Sequence, residues 1–398
     1  MDRTARPHDT AGQGNATGAA PGSGSSDQPA LFQPFTLRGT TFANRVVVSP
    51  MCQYKAIDGV PTDWHFAHHG RFALGGVGAG MIEATGVVAE GRITPGDTGL
   101  YNQAQEDAFR RIVDLYHSQG VPVGIQLAHA GRKASSARPW DGAGPLRPAD
   151  PDAWQTVAPS PIPYNPGWPV PHEMSAAEIG ILVEAFAAAA LRAVAAGFDF
   201  IEVHGAHGYL VHSFFSPLSN HRDDAFGGSL EKRMTVPLQV SEAVRGAIPD
   251  AMPLFYRASC VDGVEGGITI EDTIALAHAL KRVGVDLVDC SSGGIGGSPS
   301  LAAKAPAPGF QVPYAAAVRR ETGLATMAVG FITEPRQAET IVAEGSADLV
   351  ALARQLIEEP SFALHAALAL GRENPYEVLP EAYSFYLVRR AAALARKD

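Results

Sequence analysis

The sequence predicts a closed (β/α)8 barrel, a TIM barrel of the α/β class, on three observations. Eight short aliphatic runs recur along the chain, helix-period segments separate them, and polar residues gather where the runs end. The runs are 46–49, 79–83, 123–127, 200–204, 254–257, 287–290, 326–329 and 349–352. Strands this apolar are buried on both faces, as in a parallel sheet covered by helices. Helical stretches lie at 104–119, 175–196, 229–247, 271–283, 334–344 and 360–369. Two of them open on capping patterns, Ser175 with Glu178 and Thr269 with Asp272. An open doubly wound sheet typically has fewer strands, and its G-x-G-x-x-G fingerprint is missing: Gly76–Gly80 precedes a strand instead of opening a helix.

Residues 1–29 are rich in Gly, Ala, Ser and Asp and lack aliphatic periodicity, so they are expected to form a disordered tail. Residues 30–398 then make one barrel domain. Its longest irregular stretch, 132–172, holds ten of the 30 prolines and three of the 4 tryptophans (Trp140, Trp154, Trp168). Following the third strand, it is expected to act as a lid over the C-terminal mouth. The 46% apolar and 18% charged composition is that of a globular protein with a full core. A formal net charge of −10 argues against a nucleic-acid partner. Cys52, Cys260 and Cys290 are too few and too scattered for a disulfide framework or an iron–sulfur cluster. No uncharged apolar run reaches membrane-spanning length and no signal-peptide pattern opens the chain, so a cytoplasmic protein without membrane partners is expected.

Chemistry in such a barrel sits at the C-terminal strand ends, and these ends are polar one after another. The sharpest is His204-x-x-His207-Gly-Tyr209 after the fourth strand. Two histidines invite a metal reading, but a catalytic zinc site wants a third protein ligand and no H-E-x-x-H is present. Glu202 is taken to alternate to the other side of the strand. Two histidines capping a strand end are a second reading. The third, favoured here, is a pair of N–H donors for a substrate oxygen, with the Tyr209 phenol as general acid. No activated Ser, Cys–His pair or Schiff-base lysine stands out, so the hydride should come from a cofactor. Ser292-Gly293-Gly294, Gly330 and Arg354 suit a phosphate grip after the last strands: glycines allow close backbone approach and Arg354 offers bidentate recognition.

From about residue 31 to 370 the chain resembles the Old Yellow Enzyme family of FMN oxidoreductases, in particular its thermophilic-like class and the xenobiotic reductases. The stretches NRVVVSPMCQY, EATGVVAEGRIT, GIQLAHAGRK, GFDFIEVHGAHGYLVHSFFSPLSNHRDDAFGGS and DLVDCSSGG carry the resemblance. It implies an ene-reductase with bound FMN, NADPH or NADH as hydride donor, and enone or nitro substrates. It further implies His204 and His207 as substrate-oxygen donors, Tyr209 as proton donor and Tyr54 as a substrate contact. Cys52 would tune the flavin, Gln126 and Arg257 would meet its pyrimidine ring, and Pro50, Met51 and Ala84 would line the ring. Ser292, Gly293, Gly330 and Arg354 would hold the phosphate. The family is implied to assemble as a homodimer or homotetramer. Two departures stand out: Ala353 replaces a glycine before the phosphate arginine, and the C-terminal arginine-finger ending is replaced by an aromatic one around Tyr383 and Tyr386. The competing classes are a metal-dependent barrel hydrolase and a non-catalytic flavin-binding barrel.

Overall fold

A computed structural model of the chain describes residues 28–296 and 306–396. The expected tail, 1–29, lies outside the described residues apart from its last two.

The eight expected strands are the eight barrel strands: β1 (Val46–Val48), β2 (Gly80–Gly86), β3 (Val123–Ala128), β4 (Phe200–Gly205), β5 (Leu254–Ser259), β6 (Leu287–Ser291), β7 (Ala325–Val329) and β8 (Leu349–Leu352). Neighbours pair in parallel from β2 through to β8 and on to β1. A parallel bridge between Val47 and Ala79, with the Val48 amide 3.0 Å from the Ala79 carbonyl, closes the ring. The helices that follow the strands are α1 (Asp63–Ala73), α2 (Gln103–Ser118), α3 (Ala176–Ala196), α4 (Thr235–Ala247), α5 (Ile270–Arg282), α6 (Val312–Thr322), α7 (Pro335–Ala343) and, after the last strand, α8 (Phe362–Ala369). Both expected capping boxes form, at Ser175 for α3 and Thr269 for α5. Helix α3 is long and apolar enough to cross a membrane by length and composition, yet it is the β3–β4 crossover, packed against α2 and α4. The expected helix 229–247 is split in two, Leu230–Arg233 and α4.

Alternation along the strands builds the barrel interior in layers. Val47, Met81, Phe200, Phe255, Leu287, Met327 and Leu349 form the lower, apolar part. An antiparallel hairpin, Phe35–Leu37 with Thr40–Phe42, plugs the bottom, and Phe42 packs 5.6 Å from the Phe200 ring. Gly124 on β3 is required here: a Cβ there would sit 2.3 Å from the Phe200 ring. One step up, the inward residues become polar: Gln126 on β3, Glu202 on β4, Arg257 on β5 and Asp289 on β6, all buried. At the mouth come Ser49, His204, Ser259 and Ser291.

The segment 132–172 lies across this mouth with little regular structure, a short 3-10 turn at Pro139–Asp141 and a two-residue pairing of Val157–Ala158 with His172–Glu173. Its Trp140 packs edge-on against Tyr54, ring centres 5.7 Å apart. Beyond α8 a last helix, α9 (Glu381–Ala395), has no buried residue and exposes Tyr383, Phe385 and Tyr386.

Candidate active site

Strand β4 delivers the first histidine. His204 is buried at its C-terminal end, and its Nδ1 accepts the Ala206 amide at 3.3 Å. That bond fixes the tautomer, so Nε2 carries the hydrogen. The chain then turns through two left-handed residues, His207 (φ +60°) and Gly208 (φ +74°). A side chain at Gly208 would collide with the Gly294 carbonyl, 2.1 Å from an added Cβ, so the turn needs glycine. The left-handed His207 is held by its neighbours. Its amide donates to Ser259 Oγ (2.9 Å) and its carbonyl accepts Lys133 Nζ (2.7 Å). The Gly208 amide donates to His212 Nδ1 (2.8 Å), and His212 Nε2 lies 3.0 Å from Asp262 Oδ1, both side chains fully buried.

The turn brings the three expected residues together. The His204 ring stands edge-on to His207 at 5.2 Å and to Tyr209 at 4.9 Å. His207 Nε2 contacts Ser291 Oγ at 2.7 Å, so this ring is already engaged across the mouth with β6. Burial, followed by the positive charge of Arg257, holds both histidines well below the ordinary imidazole range, and both are neutral at pH 7. Burial pushes the Tyr209 phenol up, so it keeps its proton. Lys133 Nζ lies 4.8 Å from the Tyr209 ring centre and 4.6 Å from that of Tyr164, which comes from the 132–172 segment. Burial brings this lysine down to about 8. Among the described residues, no three His, Cys, Asp or Glu side chains are grouped to hold a metal ion.

Beside the cluster opens a cavity of about 460 Å³. Pro50, Val329 and Leu352 give it apolar wall, and two guanidiniums reach it, Arg257 from β5 and Arg354 after β8. Arg354 is exposed and has no ion-pair partner among the described residues. Ser292, Gly294 and Gly330 complete that side. An apolar slot with a free cation and glycine backbone is the donor set that an aromatic ring system bearing a phosphate requires. Ala353, where the family resemblance implies a glycine, has φ −108°, outside the left-handed region that would demand glycine.

Other expected residues are placed differently. Gly293 does not line the cavity; its amide donates to the Val261 carbonyl at 2.8 Å, and its carbonyl accepts Ser259 Oγ at 2.8 Å. Ala84 shares a small crevice with Tyr209. Met51 is half-buried against the core. Burial, with the nearby Asp97 and Glu83, pushes the Cys52 thiol up, so it is a thiol at neutral pH. Asp97 is itself raised to about 7 by burial. Gln126 donates to Glu202 Oε1 at 2.7 Å.

Glu202 does not face away from the histidines. Residues two apart on a strand share a face, and Glu202 enters the barrel directly below His204. Asp289, likewise missed, holds the same level on β6, with Oδ2 3.3 Å from Arg257 Nε. The signal was available: a carboxylate in the middle of a run otherwise buried on both faces.

The family model of the NADH:flavin oxidoreductase / NADH oxidase family matches residues 30–373. An NADPH dehydrogenase of Geobacillus sp. strain WCH70 is 44% identical over 86% of this chain and 94% of its own length. An NADH:flavin oxidoreductase of Gibberella zeae is 42% identical over 88% of each chain. Among solved structures, morphinone reductase in complex with tetrahydroNAD superposes with a TM-score of 0.72 at 25% identity, covering 86% of this chain and 92% of that one. The chain therefore belongs to the NADH:flavin oxidoreductase / NADH oxidase family, as an Old Yellow Enzyme-type barrel oxidoreductase that uses FMN with NADPH or NADH as electron donor.

Proposed function

We propose that this oxidoreductase is an ene-reductase, acting on the activated C=C bond of α,β-unsaturated carbonyl compounds, with nitro compounds as further substrates. The observation that carries this reading is the His204, His207 and Tyr209 cluster, edge to face beside a cavity with two arginines. Bound FMN supplies the hydride. His204, with its hydrogen on Nε2, donates to the substrate oxygen, and His207 adds a second donor by exchanging its Ser291 contact for that oxygen. Two neutral N–H groups in a buried site stabilise the charge that develops on oxygen without needing to reorganise. Tyr209 gives its proton to the carbon next to the carbonyl, and the Lys133 ammonium over its ring steadies the phenolate left behind. Tyr54 contacts substrate, and the 132–172 segment, through Tyr164 and Trp140, excludes water.

Toward the cofactor, Arg354, Ser292 and Gly330 hold the phosphate, with Gly293 setting the loop that presents Ser292. Arg257 and Gln126 serve the pyrimidine ring, Pro50, Met51 and Ala84 its faces, and the Cys52 thiol its reactive edge. Purified protein should be yellow and should oxidise NADPH or NADH with an enone as acceptor. Tyr209→Phe should slow reoxidation by enone by roughly 10²–10⁴-fold, the usual range for a general acid, and leave flavin reduction at the wild-type rate. A colourless protein, or a Tyr209→Phe variant as fast as wild type with every acceptor, overturns the reading.

A further inference from the structure

Two carboxylates and one guanidinium occupy the level of the barrel just below the mouth. Glu202 and Asp289 are both 0% exposed. Glu202 Oε1 takes the Gln126 amide at 2.7 Å, and Asp289 Oδ2 lies 3.3 Å from Arg257 Nε. Arg257 reaches Ser49 Oγ with Nη1 at 3.3 Å. The other groups facing this level are uncharged: Gln126 on β3, neutral His204 on β4, Ser49 after β1, and apolar Met327, Val329 and Ala351 on β7 and β8. With both acids ionised the group carries one negative charge in excess, buried without a counter-ion. That is the arrangement a protein interior tolerates least.

A second observation concerns hydrogens. Glu202 Oε2 and both Asp289 oxygens are buried without a hydrogen bond, Asp289 Oδ2 having only the ion-pair neighbour Arg257 Nε at 3.3 Å. The two carboxyl groups are close enough that each shifts the titration of the other. One proton answers both, because it removes the excess charge and supplies a donor between Glu202 Oε2 and one of the Asp289 oxygens.

We propose that Glu202 and Asp289 together bind a single proton in the resting enzyme, carried by Glu202 and donated to Asp289, and that this proton sets the charge facing the cofactor. Asp289 stays ionised and pairs with Arg257, while Glu202 is a neutral acid. Burial raises both carboxyls; the neighbouring Asp289 pushes Glu202 further up, whereas Arg257 and the contact with Glu202 act downward on Asp289. The pair titrates as a unit. Arg257 lines the cavity, so the net charge of this triad acts on the electron affinity of whatever flavin is bound there. Glu202 and Asp289 are thus positioning residues, acting through Arg257. The effect on the cofactor rests on the flavin reading above; the proton itself does not.

Infrared spectroscopy of the holoenzyme at neutral pH tests the proton. The expected spectrum has a protonated-carboxyl C=O band that shifts with carbon-13 labelling of glutamate and is lost in Glu202→Gln. Asp289→Asn should lose it too, although Glu202 remains, because one carboxylate then faces one guanidinium and ionises. The reduction potential of bound FMN tests the consequence. Each single amide variant should match wild type, being equal in charge to the protonated pair, while Glu202→Gln with Asp289→Asn together should raise the potential. A wild-type spectrum without the band, or a Glu202→Gln variant whose potential rises as if a full negative charge had been removed, overturns the proposal. Protein that purifies without flavin would sink the cofactor reading and leave the infrared band to decide the proton by itself.

Discussion

The lower and upper halves of the barrel interior are made by the same strands and differ by two residues of chain. On β4 the inward residue is Phe200, then Glu202, then His204; on β5 it is Phe255, Arg257, Ser259; on β6 it is Leu287, Asp289, Ser291. Below, aromatic rings stack against the hairpin plug, Phe200 and Phe255 4.8 Å apart. Above, directed polar contacts take over, such as Gln126 to Glu202, Arg257 to Asp289 and His207 to Ser291. The apolar half gains from burying area, and a small change there costs cohesion. The polar half gains little net stability from its bonds, since each replaces a bond to water. What it gains is a fixed arrangement of donors and charge. The contrast teaches that stability and chemistry are separated along the barrel axis, in steps of one side-chain layer.

The sharpest way to break that separation is to cut each half and look for the effect in the other. Phe200→Ala removes a fully buried ring that touches both Phe42 and Phe255. It should cost roughly 3–5 kcal/mol of stability, the usual toll of deleting a core aromatic. Denaturant titration of the holoenzyme measures this, and turnover per bound flavin should stay near wild type. A variant as stable as wild type but slow with enone would show that the lower layer sets the site geometry directly.

Arg354→Ala makes the reverse cut. The side chain is exposed and has no ion pair among the described residues, so its loss should leave stability within experimental error. On the proposed function Arg354 holds the phosphate, and a charge-assisted contact contributes about 1.5–3 kcal/mol, so FMN affinity should fall by about one to two orders of magnitude. Titrating FMN into deflavinated protein checks it. Unchanged affinity would move the phosphate grip to Ser292 and the backbone around Gly330.

The two halves were also unequally legible in the sequence. The apolar layer and the barrel itself follow from periodicity, and all eight strands lie where the aliphatic runs predict. The His204, His207 and Tyr209 cluster followed from one short motif, because a strand end and a tight Gly208 turn leave little freedom. In the middle polar layer Gln126 and Arg257 were named through the family resemblance, while Glu202 was lost through a misapplied alternation. Asp289 was read only as part of an apolar strand. Gly293 illustrates a different limit: a glycine beside the expected phosphate grip reads as a backbone donor, yet its amide is taken by the Val261 carbonyl, a loop pairing with no sequence signature. The left-handed φ of His207 is of the same kind, imposed by Ser259, Lys133 and His212 from three separate segments.

The smallest expected effect probes the seam between substrate and protein at the top layer. His207 Nε2 already has a partner in Ser291 Oγ at 2.7 Å, and Ser291 in turn reaches Gln311 Oε1 at 3.4 Å. With the serine hydroxyl turned toward Gln311, His207 is the donor in the first contact. On the proposed function, a substrate oxygen displaces that contact before His207 can serve it. Ser291→Ala removes the competitor, and a neutral hydrogen bond is worth about 0.5–1.5 kcal/mol net, so binding of a non-reducible carbonyl ligand should tighten by about two- to ten-fold. Perturbation of the flavin absorption band on titration reads the affinity directly. Weaker binding would mean instead that Ser291 holds the ring in its productive orientation, and that the top layer, like the one beneath it, works by fixing positions in advance of the ligand.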